Sequence, residues 1–207
     1  HHSLGSSNHL AIFGQTYLEL LGFEEGKGHT RPELINAPNG LTGLVFKTSN
    51  AIELHRHLTD LGFQVEQPKS FHRPVKLEDG TTQEARFRTI HIPHELAPNG
   101  RTFYCDQLTP EFVWRDAWRQ HPNQVQDIIE YIIAAKTPKA AASVYAQLFP
   151  ESTIHIHNDN EYWLHADTAK IRFLTFNQAQ DEFSDIEFDA ADTQRRVALV
   201  LKTSSIQ

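Results

Sequence analysis

The chain predicts an α+β fold of repeated βαβββ modules. Three observations lead there. A ten-residue segment occurs twice, GlyLeuValPheLysThrSerAsnAlaIle at 43–52 and AlaLeuValLeuLysThrSerSerIleGln at 198–207. The order strand, helix, then three strands also occurs twice, and an alternating hairpin precedes the first of these units.

The hairpin comes first. Asn8–Phe13 and Thr16–Leu21 alternate apolar and polar residues, and Gly14-Gln15 between them suits a two-residue turn with glycine leading. This register sets Ile12 against Tyr17, Leu10 against Glu19 and Asn8 against Leu21. One face then carries Asn8, Tyr17 and Glu19 among Leu10, Ile12 and Leu21, so a carboxylate is expected on a surface otherwise fit for burial.

The first copy of the repeat is a strand, followed by a helix over Ala51–Leu61. Leu54, Leu58 and Leu61 form its apolar stripe, Ser49 or Asn50 its cap and Gly62 its stop. A strand is expected at Phe63–Glu66, a polar loop through Gly80, and strands at Glu84–Ile92 and Arg101–Leu108. The segment Thr109–Asn123 links the halves. Its Glu111, Trp114 and Trp118 fall at helical spacing, which predicts a helix docking one half on the other. Beyond it the pattern predicts a strand at Gln126–Ala135, a helix at Lys139–Phe149 and strands at Ser152–His157, Glu161–Ala166 and Ala169–Asn177. Arg196–Gln207 then restarts the module. The expected divisions are 1–113 as a first module pair with an incomplete N-terminal module, 114–123 as a linker helix, and 124–207 as a second pair with an incomplete C-terminal module. The chain begins at His1-His2 and contains no methionine, and incomplete ends are expected.

Composition bounds the partners. With 39% hydrophobic residues in 207, the chain can bury a sizeable core. A net charge of -7 without a Lys/Arg cluster speaks against nucleic-acid and anionic-membrane surfaces and favours a small molecule or a protein. The single cysteine, Cys105, excludes an internal disulfide and a multi-cysteine zinc site, and fits a reducing cytoplasm. No apolar run reaches membrane-spanning length, and no signal peptide is visible.

Among individual side chains, Gln107 shares the strand face of Cys105 and can hydrogen-bond a ligand. Arg88 offers a cation to an acidic ligand, although exposed strand arginines are commoner. His91 and His94 flank Pro93 at a strand end, where His91 could line a pocket, although a plain loop role is commoner. His155 and His157 share one strand face that the alternating isoleucines turn towards solvent. Cys105 reads first as a small buried residue, since no base adjoins it in sequence.

The pieces SerSerAsnHisLeu, TyrLeuGluLeu, TyrCysAspGlnLeuThrProGluPheValTrp and HisProAsn at 121–123 resemble the glyoxalase-like branch of the vicinal oxygen chelate superfamily. That resemblance implies an α+β fold of repeated βαβββ modules paired into curved, cup-forming mixed sheets, and a small-molecule enzyme of lyase, isomerase or dioxygenase type. It implies Glu19 as the acting carboxylate, and Asn8, Tyr17, Arg88, Cys105, Gln107, Glu111 and His121 as ligand-binding candidates. One divalent metal ion is the implied cofactor, with Glu19 as its ligand. By the same resemblance Cys105 is the counterpart of Glu19 in the next module, Gly43 stands where a first-strand histidine is usual, and Arg172 and Ala198 occupy the equivalent places in the second pair. Two other readings stay open: a binding protein of the bleomycin-resistance type that sequesters a ligand without turnover, and a module pair kept for homodimerisation.

Overall fold

The computed structural model describes residues 6–23, 40–98, 100–149 and 151–205. Strands β1 (Ser6–Ile12) and β2 (Tyr17–Phe23) form an antiparallel hairpin with Ile12 opposite Tyr17, Leu10 opposite Glu19 and Asn8 opposite Leu21, the register that the alternation implies. The turn closes through Phe13 N–H to the Thr16 carbonyl at 2.8 Å. Gly14 is absent from the positive-φ glycines, so the turn does not need its conformational freedom. It needs its size instead, because a Cβ at Gly14 would stand 2.9 Å from an Asp127 carboxylate oxygen.

The next unit runs β3 (Gly43–Thr48), α1 (Ala51–Asp60), β4 (Lys69–Lys76), β5 (Thr82–His91) and β6 (Arg101–Gln107). Its strands lie in the order β3-β6-β5-β4, with β3 and β6 parallel and the other neighbours antiparallel. Asn50 caps α1 by accepting the Glu53 N–H at 3.1 Å, and the buried Asp106 of β6 accepts the Ala51 N–H at 3.1 Å. Leu58 is fully buried. Leu61 lies just past the last turn and is exposed, unlike its expected stripe partners.

Two expectations in this region are corrected. Residues 63–68 form no strand, and the strand that pairs with β5 lies at β4, inside the stretch read as a polar loop. β4 is an edge strand, mostly exposed, charged and carrying Pro74, so it lacks the apolar alternation of a half-buried strand. The linker, too, is not a continuous helix. It contains two short 3-10 turns, Pro110–Phe112 and Asp116–Trp118, separated by Arg115 in an extended conformation at φ −90°, ψ 135°.

The following unit repeats the plan with β7 (Val125–Ala135), α2 (Pro138–Leu148), β8 (His155–Asn158), β9 (Glu161–Ala166) and β10 (Ala169–Leu174). Its order is β7-β10-β9-β8, extended at the β7 edge by antiparallel β11 (Gln194–Thr203). Helix α3 (Phe176–Glu182) replaces the end of the strand expected through Asn177. Thr175 and Gln178 form a reciprocal capping box that starts a helix there.

One continuous core joins the units. Phe46, Leu58, Ile90 and Tyr104 from the first pack with Tyr131, Ile133, Tyr145, Leu148 and Phe173 from the second. Burying a large apolar side chain of this kind contributes about 1.5–3 kcal/mol. Polar ties are fully inside this core. Tyr104 donates to the Leu148 carbonyl at 2.7 Å, and Arg196, 4% exposed, donates to the Thr42 carbonyl at 2.9 Å and the Thr102 hydroxyl at 2.7 Å. Gly100, at φ +134°, lets the guanidinium pass, since a Cβ there would overlap Arg196 and the Thr42 carbonyl.

Candidate functional site

Among the described residues, the hairpin strands form a ladder only with each other and join neither larger sheet. Side-chain packing and a polar latch hold it instead. Ile12, 3% exposed, packs with Ala85 and Val113, and Tyr17, Phe87, Trp114 and Trp118 surround that cluster. Asp127 accepts from Gln15 N–H at 3.1 Å, from Thr16 N–H at 3.0 Å and from the Thr16 hydroxyl. The same hydroxyl oxygen accepts Ile128 N–H at 2.9 Å, and Gly14 N–H reaches the Gln126 carbonyl at 2.8 Å. The start of β7 thus fixes the tip of the hairpin above β5 and β6.

Strand register decides which side chains share the face beneath it. Cys105 is paired with Thr89 on one side and Lys47 on the other, Gln107 with Phe87, and Phe103 with His91 and Val45. Directly paired residues project from the same side of a sheet, so these groups line one face, opposite the helix-covered face of Phe46, Ile90 and Tyr104. His91 stacks on Phe103 there with centroids 4.9 Å apart. Trp114 stands at the junction. It donates its Nε1–H to Gln107 Oε1, packs against Tyr17 at 5.8 Å between centroids, and lies 5.9 Å from Lys47 Nζ.

Tyr17, Glu19, Cys105 and Gln107 therefore converge on one junction. Burial raises the Tyr17 phenol above its ordinary range, with Cys105 and Glu19 adding to the effect. Burial likewise pushes the Cys105 thiol up to about 12, helped by Asp106 and Glu19. Cys105 is thus a neutral thiol at neutral pH, and the thiolate that attacks or ligates a soft metal is absent. Glu19 acts on both Tyr17 and Cys105, and Cys105 on Tyr17, which sets the three in one electrostatic neighbourhood.

Several expectations change. Glu19 is exposed rather than buried, because only the half of its face nearest the turn is packed; Leu10 and Leu21 are 45% and 38% exposed. Asn8 holds Glu19 by donating Nδ2–H to it at 2.7 Å. Arg88 pairs with Asp106 across the strands, on the helix side of the sheet, where it borders a depression with Ile52, His55 and Pro68. Glu111 is exposed on the first 3-10 turn. His121 hydrogen-bonds the Ile12 carbonyl through Nε2 at 2.7 Å and meets Phe13 edge-on, so it fastens the hairpin. Lys47 was not singled out by sequence. Alternation along β3 combined with the parallel β3–β6 pairing is the signal that places it beside Cys105.

These residues do not suit a resident divalent metal ion. Among the described residues, no three His, Cys, Asp or Glu side chains gather at metal-binding spacing. Glu19 is the carboxylate of this face, Cys105 is protonated, and the neighbouring first-strand position carries the Lys47 ammonium, whose charge opposes a cation. The assignment of Glu19 as a metal ligand is therefore not supported by its surroundings.

The equivalent face of the second unit is closed by its own chain. Arg172 pairs with Glu161 at 2.7 Å, with Glu182 of α3 at 2.7 Å and with Glu130 at 3.5 Å. Phe176, Phe183 and Phe188 cover Ile132, Ala134 and Leu174. His155 lies flat on Trp163 at 3.9 Å between centroids, so its ring is committed to packing.

The comparisons agree with this architecture. A family model described as a glyoxalase-like domain matches residues 1–149. A crystal structure of a hypothetical protein from Staphylococcus aureus is similar in fold, with a TM-score of 0.66 and 15% identity over 84% of this chain and 74% of that one. A triple mutant of 4-hydroxymandelate synthase from Streptomyces coelicolor aligns with a TM-score of 0.42 and 12% identity, over 83% of this chain and 51% of that one. No curated protein sequence matches significantly. No helix among the described residues is long and apolar enough to cross a membrane. On the match over residues 1–149 and the βαβββ architecture, the chain belongs to the glyoxalase-like domain family of the vicinal oxygen chelate superfamily.

Proposed function

We propose that the chain acts on a small oxygen-rich molecule bound between the hairpin and the face of β3, β6 and β5, with Glu19 as the proton-transfer group. The observation that carries this reading is the convergence of Glu19, Tyr17 and Cys105 at one junction, drawn from two elements that pair with no common strand. A carboxylate held by Asn8 yet open to solvent can accept a proton from a carbon next to a carbonyl and return it to a neighbouring atom. The neutral Tyr17 phenol is a donor for the oxygen that gains charge. Such a proton shift is an isomerase-type reaction; the same abstraction becomes lyase-type where the electron pair expels a leaving group from the adjacent carbon, and neither consumes an oxidant nor needs a metal. The poor metal donor set favours it over a dioxygenase. The single buried free thiol supports a reducing cytoplasm as its compartment.

Binding without turnover is a second reading, favoured by one observation: Gln107 already accepts from Trp114 and Cys105 is neutral, so two polar groups of the face serve structure. Turnover of a panel of α-hydroxycarbonyl compounds, followed by deuterium uptake from solvent, separates the readings. Uptake that Glu19→Gln abolishes supports the enzyme. Saturable binding with no uptake in either protein supports sequestration.

A further inference from the structure

We propose that Lys47 is the oxyanion subsite of this cup, so that the ligands it selects carry a carboxylate or another anionic oxygen beside a flat apolar body. The proposal rests on the small-molecule reading above and names the ligand class that reading leaves open.

Lys47 lies in β3 directly opposite Cys105 in the parallel pairing, so its side chain leaves the sheet on the hairpin side. The contact with Trp114, itself bonded to Gln107 and packed on Tyr17, confirms that direction independently. Lys47 is exposed, and among the described residues its ammonium forms no ion pair. The other cations of this face have partners: Lys69 pairs with Glu66, Arg73 lies over Phe71 while donating to the His72 carbonyl, and Arg101 lies over the Phe103 ring at 5.2 Å. Lys47 thus offers an available positive charge at the same junction as Glu19. An ammonium attracts an oxyanion as a compact point charge and through charge-assisted hydrogen bonds. Val45 continues the same face next to it, beside Phe103, whose ring carries His91 and the Arg101 guanidinium; Val45 and Trp114 give the apolar contact for a ligand body.

The arrangement also explains how positive charge is supplied to a cup whose donors do not suit a metal. The ammonium stands beside the position where the family resemblance places a ligand of the ion. Glu19, in the same neighbourhood, repels an oxyanion and attracts a hydrogen-bond donor. A bound molecule would orient with its anionic end towards Lys47.

The test is titration of the full chain with benzoate and with its neutral counterpart benzamide, read by ligand-observed NMR and by tryptophan fluorescence. Benzoate is expected to bind about tenfold more tightly than benzamide, the gain of one charge-assisted contact in a solvent-open site. Lys47→Gln is expected to remove that preference, Lys47→Arg to keep most of it, and Glu19→Gln to strengthen benzoate binding. Equal binding of both probes, or a preference that survives Lys47→Gln, would overturn the assignment while leaving the cup as a binding site. Failure of both probes to bind at millimolar concentration, with the fold intact by circular dichroism, would overturn the assignment together with the cup itself.

Discussion

The hairpin brings Tyr17 and Glu19 to the site, yet among the described residues its strands form a ladder only with each other, and an isolated two-stranded hairpin is marginal in water. Its position therefore depends on the Asp127 latch, and Asp127→Ala isolates that contribution. The substitution removes acceptors for Gln15 N–H, Thr16 N–H and the Thr16 hydroxyl. Three bonds to a charged acceptor would contribute more than three neutral ones, but Gln15 is exposed and regains water when the carboxylate is lost. The net cost is about 2–4 kcal/mol of docking free energy. Ile12 burial, the Gly14–Gln126 bond and the His121 contact remain. The hairpin is expected to open locally, with exchange of the β1–β2 amides accelerated about 30- to 700-fold, while the amides of β7 and β10 are nearly unchanged. Hydrogen exchange read by NMR measures both sets in one experiment. Unchanged protection at Ala11 and Leu18, which form a hydrogen-bonded pair of the hairpin, or equal acceleration throughout the chain, would refute the latch as the device that positions the site.

Further outcomes follow from the same contacts. Gly100→Ala places a Cβ 2.2 Å from the Thr42 carbonyl and into the Arg196 guanidinium, at a φ of +134°. Its destabilisation is expected to reach about 3 kcal/mol or more, read as a lower urea midpoint; a midpoint within error of the parent would contradict this account of Arg196. The raised Cys105 thiol makes stability depend on pH. Its folded value of about 12 exceeds the ordinary value of 9.0, so between these the unfolded chain loses the proton first and unfolding is favoured. The contribution is complete below pH 9 and is lost as pH rises towards 12. The raised tyrosines, Tyr17 among them, act with the same sign. Thermal melts from pH 8 to pH 11 should fall less steeply for Cys105→Ala than for the parent. Alkylation of Cys105 by iodoacetamide at pH 8 should be far slower in the folded than in the unfolded chain, and equal rates would contradict a neutral buried thiol.

Legibility in the sequence varied with how much of the chemistry is local. The hairpin register was readable because turn position and alternation together allow only one pairing. The strands β5, β6 and β9 and both longer helices were readable from an apolar face, and β7 from an apolar run buried on both faces over 131–135. β4 was not, since an edge strand that must avoid further pairing is built from Lys, His, Arg and Pro. The Thr175–Gln178 capping box was present in the sequence, but the apolar run ahead of it, Ile171 to Leu174, carried the strand reading past its true end. At the site, Tyr17, Glu19, Cys105 and Gln107 were legible as a group through hairpin alternation and the superfamily resemblance. Arg88 was placed by sequence in the same pocket, yet neighbours along a strand face opposite ways, and adjacency to Phe87 put it behind the sheet.

By itself, the sequence determined the module type, the repeated order of elements and the pairing within the hairpin, because these rest on periodicity and on contacts between near neighbours. Only the tertiary structure decided that β7 holds the hairpin through Asp127, that Lys47 stands beside Cys105, and that α3 closes the second face. Each of these joins residues far apart in the chain, through a single carboxylate, a parallel register or a helix that folds back. Such contacts leave no period in the sequence, since their geometry exists only once both sheets have packed on a common core.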